Sequence, residues 1–236
     1  MFIIDHHRCH ILHRHDGPLL ASSLAELQRR PELSALPVFA FGASSGGTMA
    51  FLLPAYVPGL RAVAVQIAAV PASMIPDMVG GERDGGGSSP DNFPATLFLH
   101  MERDQRTSQL VADDVATLRE LGVSARSIVL KPAKIDASFF EERGLMPAVA
   151  AEIVSRFERG GLLDSAGKLK EDPRRSSWRD LLREPAVPGL ASDSLMADKS
   201  PVSELLNVAW AQHELFAAPR AEMLRWFQDH QHGPVT

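Results

Sequence analysis

Apolar runs of strand length alternate with helical segments over the first 130 residues of the chain. The runs lie at residues 37–41, 61–67, 95–101 and 127–130. They are apolar at successive positions, and the stretch 107–121 between the last two places apolar residues at helical spacing before Gly122. Strands that are apolar on both faces and separated by helices are typical of a parallel sheet covered on both sides. The sequence therefore predicts an α/β fold with a mostly parallel sheet flanked by helices.

The pattern changes after the fourth run. Residues 147–159 and 176–183 have the pattern of helices, and a further helical region extends from 201 to about 230. No internal repeat is visible. We predict one domain over residues 1–236, with a helical insertion or lid at residues 138–200 that follows the last strand.

Charge, hydropathy and cysteine content argue against several classes of function. The 236 residues carry 29 acidic and 24 basic side chains, a formal net charge of -5, which does not favour nucleic acid as a partner. No apolar stretch approaches the roughly 18–20 residues that span a bilayer. Cys9 is the only cysteine, so no intrachain disulfide can form. This suits a reducing compartment and favours the cytoplasm.

The chain begins with a histidine-rich segment that resembles neither a secretory signal nor a transit peptide. Its candidate metal ligands are His6, His7, Cys9, His10, His13 and His15. Their spacing matches no defined zinc pattern, and no distal pair of ligands stands out. We therefore predict no metal and no organic cofactor.

The pentapeptide Gly-Ala-Ser-Ser-Gly at residues 42–46 matches the pattern G-x-S-x-G. An apolar strand run precedes it and an apolar helical run follows, which is the context of a nucleophile elbow. Such a turn lifts the serine hydroxyl clear of the sheet and aims the next backbone N–H at a developing oxyanion. Ser44 is thus the predicted nucleophile and Ser45 the oxyanion donor. The alternative is a glycine-rich turn without chemistry.

An activated serine needs a base that a carboxylate orients, in the chain order Ser, Asp or Glu, His. Asp104 follows the third apolar run and is the predicted acid, because the ends of parallel strands share one edge of the sheet. Its rivals are Glu102, Asp113, Asp114 and Asp136. Asp113 and Asp114 are expected to face solvent from a helix. Asp104 could instead simply cap that helix.

The base is harder to place because no histidine directly follows the fourth run. Beyond the predicted acid the histidines are His213, His230 and His232, and the last two lie in a polar tail. If the predicted insertion is real, His213 falls just before the last helix, where the base belongs. His100 is the alternative, although a strand position favours a hydrogen-bonded core residue.

These segments resemble the α/β-hydrolase superfamily, and more narrowly a group of plant and algal α/β-hydrolase-like proteins. The resembling segments are residues 36–47, 94–104, 161–164, 172–174 and 207–214, within a likeness that covers most of the chain from about residue 30. The resemblance implies a catalytic triad of Ser44, Asp104 and His213. It implies no particular substrate.

One departure from the superfamily concerns the start of the chain. About 40 residues precede Ser44, room for one strand and one helix, whereas the superfamily has several strands there and a loop that supplies a second oxyanion donor. We expect an N-terminally incomplete fold, with residues 2–4 as the remnant of a strand. An uncovered sheet edge would allow self-association.

The sequence thus predicts a serine hydrolase, esterase-like, that acts on a small ester or related acyl substrate. The alternative is a catalytically impaired or non-catalytic binding or scaffold protein with the same fold, because loss of one oxyanion donor lowers turnover by about 100–1000-fold.

Overall fold

The computed structural model describes residues 13–80, 92–183, 185–190, 200–211 and 217–232. The chain forms two compact units. The first contains residues 1–130 and 215–236, and the second contains residues 131–214. Among the described residues, no helix is long and apolar enough to cross a membrane.

A four-stranded parallel sheet forms the centre of the first unit. Its strands are β1 (Val38–Ala43), β2 (Leu60–Gln66), β3 (Ala95–Met101) and β4 (Ala125–Leu130), in the order β1-β2-β3-β4. Ala43 pairs with Gln66, so β1 and β2 end level with each other, and Gln66 pairs with Leu99, so β3 extends two residues further. The predicted α/β class is confirmed. β1 and β4 are the edge strands of this sheet. Self-association through such an edge stays a prediction.

Helices precede, connect and follow these strands. They are α1 (His13–Gln28), α2 (Pro31–Ser34), α3 (Ser45–Leu52), α4 (Ile75–Val79), α5 (Gln105–Glu120), α6 (Ala137–Glu141), α7 (Pro147–Arg159), α8 (Trp178–Arg183), α9 (Pro201–Ala211) and α10 (Ala217–Asp229). The helices predicted at 107–121, 147–159 and 176–183 agree with α5, α7 and α8 to within two residues at each end. The sequence did not predict the short helices α2, α4 and α6, because a helix of about one turn is too short to show the helical spacing of apolar residues.

The central strands β2 and β3 are buried on both faces, as strands that are apolar at successive positions require, whereas the edge strands β1 and β4 are partly exposed. On one face Val65 and Phe98 belong to a buried cluster with Phe51 of α3 and Val111 of α5. The other face is packed against α10. There Ala64, Leu97 and Leu99 share a cluster with Met223 and Trp226. Successive residues of β2 and β3 alternate between these two clusters. A shift by one residue would move every buried side chain of a strand to the opposite face, so this alternation fixes the register of the sheet.

The second unit, described by itself, is helical and has its own buried core. Phe140, Phe157 and Trp178 are fully buried in it. The guanidinium of Arg156 is also buried, and it donates to Glu152 and to the carbonyl oxygen of Pro185. Burying a charged group costs desolvation free energy, and hydrogen bonds to a carboxylate and a carbonyl offset part of that cost. The predicted insertion at 138–200 lies within this unit.

Candidate active site

Ser44 occupies a sharp turn between β1 and α3. Its backbone angles are φ 54 and ψ -125, a conformation that a non-glycine residue rarely adopts. Its N–H donates to the Gln66 carbonyl at 2.8 Å, continuing the sheet, and its own carbonyl accepts from the N–H of Gly47 at 2.9 Å, beginning the helix. The strand therefore becomes a helix at a single residue. The Ser44 side chain is exposed at the carboxyl edge of the sheet.

The glycines of the motif differ in what they do. A Cβ at Gly42 would lie 1.9 Å from the carbonyl oxygen of Gly46, so this position accepts only glycine. A Cβ at Gly46 would meet nothing within 4 Å. At Gly47, which lies outside the pentapeptide, a Cβ would be 2.9 Å from the Cβ of Ala68. The close approach of strand and helix thus depends on Gly42 and Gly47.

Ser45 is the first residue of α3. The N–H groups in the first turn of a helix have no acceptor within that helix, and the helix dipole makes this end partially positive. The backbone amide of Ser45 is therefore suited to an anion next to the Ser44 hydroxyl.

Asp104 lies in the turn between β3 and α5 and caps that helix. Its Oδ1 accepts from the backbone N–H of Thr107 at 3.0 Å, and its Oδ2 accepts from the Thr107 hydroxyl at 2.6 Å. The capping that was the alternative for this residue is observed, while the catalytic role stays a prediction. A carboxylate has about four acceptor sites, so these bonds hold the group in place and leave capacity for an imidazole N–H.

Three rivals of Asp104 have other surroundings. Glu102 and Asp113 are exposed. Asp136 caps α6 in the second unit, where hydrogen bonds from Ser138 and from the Phe139 N–H lower the pKa of its carboxyl. None of these interactions suggests a catalytic acid.

The prediction that Asp114 faces solvent is wrong. Asp114 is fully buried, and its Oδ2 accepts from the backbone N–H of Val70 at 3.0 Å. Burial raises the pKa of its carboxyl to about 6. The sequence contained the signal, because Asp114 is three residues after Val111 and four before Leu118, both buried. It lies on the apolar stripe of α5.

Asp114→Asn should alter the pH dependence of stability. The pKa of Asp114 rises from 3.8 unfolded to about 6 folded, so only the folded state holds this proton between those values. The free energy of unfolding of the wild type therefore falls as pH rises across this window, by up to about 3 kcal/mol. Asparagine cannot titrate.

Urea unfolding of both proteins at about pH 4 and about pH 7.5 measures this effect. The stability of the variant relative to wild type should increase with pH. Asp113→Asn is the matched control: Asp113 is exposed and its charge is the smallest of the causes that act on the pKa of Asp114, so this variant should change the pH dependence far less than Asp114→Asn. A stability difference for Asp114→Asn that is the same at both pH values would contradict the prediction.

His100, the alternative base, is a core residue as its strand position indicated. It is 7% exposed, and its Nδ1 lies 2.8 Å from the Ser108 hydroxyl. The same hydroxyl lies 3.1 Å from the Met101 carbonyl, so it bridges the imidazole and the backbone of β3. Burial lowers the pKa of His100, and the Asp104 charge acts against that. The imidazole ties β3 to α5.

His213, the predicted base, lies outside the described residues, and so do His6, His7, Cys9 and His10 of the histidine-rich segment. His230 donates through Nδ1 to the Trp226 carbonyl at 2.8 Å, and its ring centroid is 4.0 Å from that of Trp226. His232 is exposed. In the part of the chain that is described, no three His, Cys, Asp or Glu side chains could hold a metal ion together.

The end of α10 lies at the amino end of the sheet. Trp226 Nε1 donates to the carbonyl of Ala95, the first residue of β3, at 3.4 Å. Phe227 stacks on Phe39, the second residue of β1, with 4.8 Å between ring centroids. Ala217, the first residue of α10, lies about 13 Å from Trp226 along the helix axis.

No protein-family model matches the chain, and a search of curated proteins finds no significant match.

Proposed function

We propose that the protein is a serine hydrolase that acts on an ester or related acyl substrate, with Ser44 as the nucleophile. The observation that supports this best is the backbone of Ser44, a non-glycine residue at φ 54 on an exposed turn. Such a conformation costs about 1–3 kcal/mol and clusters at functional sites. An exposed hydroxyl contributes little to packing, so the strain has no evident structural benefit.

In this proposal Ser44 attacks the acyl carbon and His213 accepts its proton. The imidazole then returns that proton to the leaving group, while Asp104 holds the ring in the required tautomer. The Ser45 N–H donates to the oxyanion. A water molecule, activated by the same imidazole, cleaves the acyl-enzyme.

The spacing of the sheet supports Asp104 as the acid. Ser44 follows β1 and Asp104 follows β3, which are two strands apart, or roughly 9–10 Å between strand axes. An imidazole with a hydrogen bond at each nitrogen joins groups about 8 Å apart. A ring above the end of β2 would fit between them.

The position of the end of α10 is compatible with His213 as the base. Trp226 and Phe227 hold that end at the amino edge of the sheet, so the helix begins toward the carboxyl edge, where Ser44 lies, if it runs antiparallel to the strands. His213 precedes Ala217, the first residue of that helix, by four residues. Four extended residues reach at most about 14 Å.

A non-catalytic binding protein of the same fold is the second candidate. The observation that favours it is the capping role of Asp104, since both carboxylate oxygens already accept hydrogen bonds from Thr107. A structural carboxylate would need no imidazole partner.

A fluorophosphonate probe separates these two functions. We expect the wild-type protein to react at one residue, which peptide mass spectrometry identifies as Ser44. Ser45→Ala is the control, because its proposed donor is a backbone N–H, and it should label within about threefold of wild type. Labelling at another serine would remove Ser44 from the mechanism. A folded wild-type protein that does not label would favour the binding protein.

A further inference from the structure

The loop that follows β2, at residues 67–70, lies against the turn that carries Ser44. Ile67 has φ 51 and, beside Ser44, is the other non-glycine residue with positive φ in the described chain. Its N–H donates to the Leu99 carbonyl at 2.7 Å. The next residue, Ala68, is buried, and its Cβ occupies the space that a side chain at Gly47 would need. The path of this loop therefore limits where α3 can begin.

Asp114 holds the other end of the same loop. Val70 is 2% exposed, and its N–H donates to Oδ2 of Asp114 at 3.0 Å. Oδ1 of Asp114 has no hydrogen-bond partner in the part of the chain that is described. An apolar residue of similar volume would pack at this position without the penalty of desolvating a carboxylate. The acid therefore contributes a specific hydrogen bond to the loop.

We infer that Asp114 is a positioning residue of the proposed active site, which acts through the loop at residues 67–70. The contacts form a continuous path. The carboxylate fixes Val70, the loop places Ala68 against Gly47, and Gly47 belongs to the first turn of the helix that Ser44 begins. Ser44 and this loop are also joined directly, since the Ser44 N–H donates to the carbonyl of Gln66.

Steady-state hydrolysis of p-nitrophenyl acetate tests this inference, which rests on the proposed function. In folded Asp114→Ala, kcat should fall about tenfold with KM within about twofold, because a displaced nucleophile slows the reaction more than it weakens binding. Asp114→Asn keeps an acceptor for Val70 and should lose about two- to threefold. Asp113→Ala is the matched control on the same turn of α5 and should behave as wild type.

Equal kcat values for wild type and Asp114→Ala would overturn the inference. If Asp114→Ala does not fold, equal kcat values for wild type and Asp114→Asn would overturn it instead.

Amide hydrogen exchange gives a readout that needs no catalysis. In whichever Asp114 variant is folded, Asp114→Ala or Asp114→Asn, amide exchange should become faster both in the loop at 67–70 and in the turn at 44–47. Asp113→Ala should leave the exchange rates of both segments unchanged. Faster exchange confined to the loop would overturn the inference. If the wild type reacts with neither ester nor fluorophosphonate, the proposed hydrolase fails, and the exchange data still decide whether Asp114 positions the elbow.

Discussion

Gly42→Ala will abolish fluorophosphonate labelling of Ser44, whereas Gly46→Ala will leave the labelling rate within about threefold of wild type. Both glycines belong to the G-x-S-x-G pattern, but their surroundings differ. The added methyl at Gly42 would lie 1.9 Å from the Gly46 carbonyl oxygen and 2.7 Å from the Gly47 nitrogen. At Gly46 it would meet nothing within 4 Å.

The clash at Gly42 involves backbone atoms, so no side-chain rotation can relieve it. The strand and the helix must separate, and a displacement of about 1 Å at a reacting group lowers rates by about 100-fold. Because the strained turn at Ser44 exists only while its surroundings enforce it, separation also allows φ to relax. We therefore expect a loss greater than the displacement alone would give, together with a stability loss of about 1–3 kcal/mol.

Labelling time courses, recorded well below each variant's unfolding temperature, measure this difference. Gly47→Ala should fall between the other two, since its methyl would lie 2.9 Å from the Ala68 side chain, which can move. If folded Gly42→Ala reacts as fast as wild type, the turn does not have the close approach described here.

The sequence predicted the central strands β2 and β3 well because they are buried on both faces. An apolar run bounded by turn residues leaves few alternatives, and β3 (Ala95–Met101) lies where the third run predicted it. The sequence-based prediction placed Asp114 wrongly on the surface, because a charged residue of a helix is far more often exposed to solvent than buried and hydrogen-bonded to a loop. Its spacing from Val111 and Leu118 indicated the buried face.

The site was less predictable than the fold for a physical reason. A capping carboxylate and a catalytic carboxylate both occur just after a strand and before a helix, so the position of Asp104 alone cannot separate them. The steric demand at Gly47 depends on Ala68, a residue of the neighbouring strand's loop. Contacts between distant segments of this kind leave no local pattern in the sequence.

His213→Gln will lower the rate of Ser44 labelling by about 10⁴-fold or more, the scale expected when a serine loses its general base. Without an imidazole the hydroxyl keeps its proton at neutral pH and is a weak nucleophile. Glutamine preserves polarity and approximate size, so folding should change little. Thermal unfolding of the variant checks this.

His100→Gln and His230→Gln are the controls for His213, because both remove an imidazole from the same unit as Ser44. His100 is hydrogen-bonded to the Ser108 hydroxyl and His230 donates to the Trp226 carbonyl, so each substitution should reduce stability by about 1 kcal/mol and leave labelling nearly intact. Full labelling in His213→Gln together with a large loss in His100→Gln would make His100 the base. The Ser108 contact would then have to break during catalysis, since Nδ1 of His100 is already committed to it.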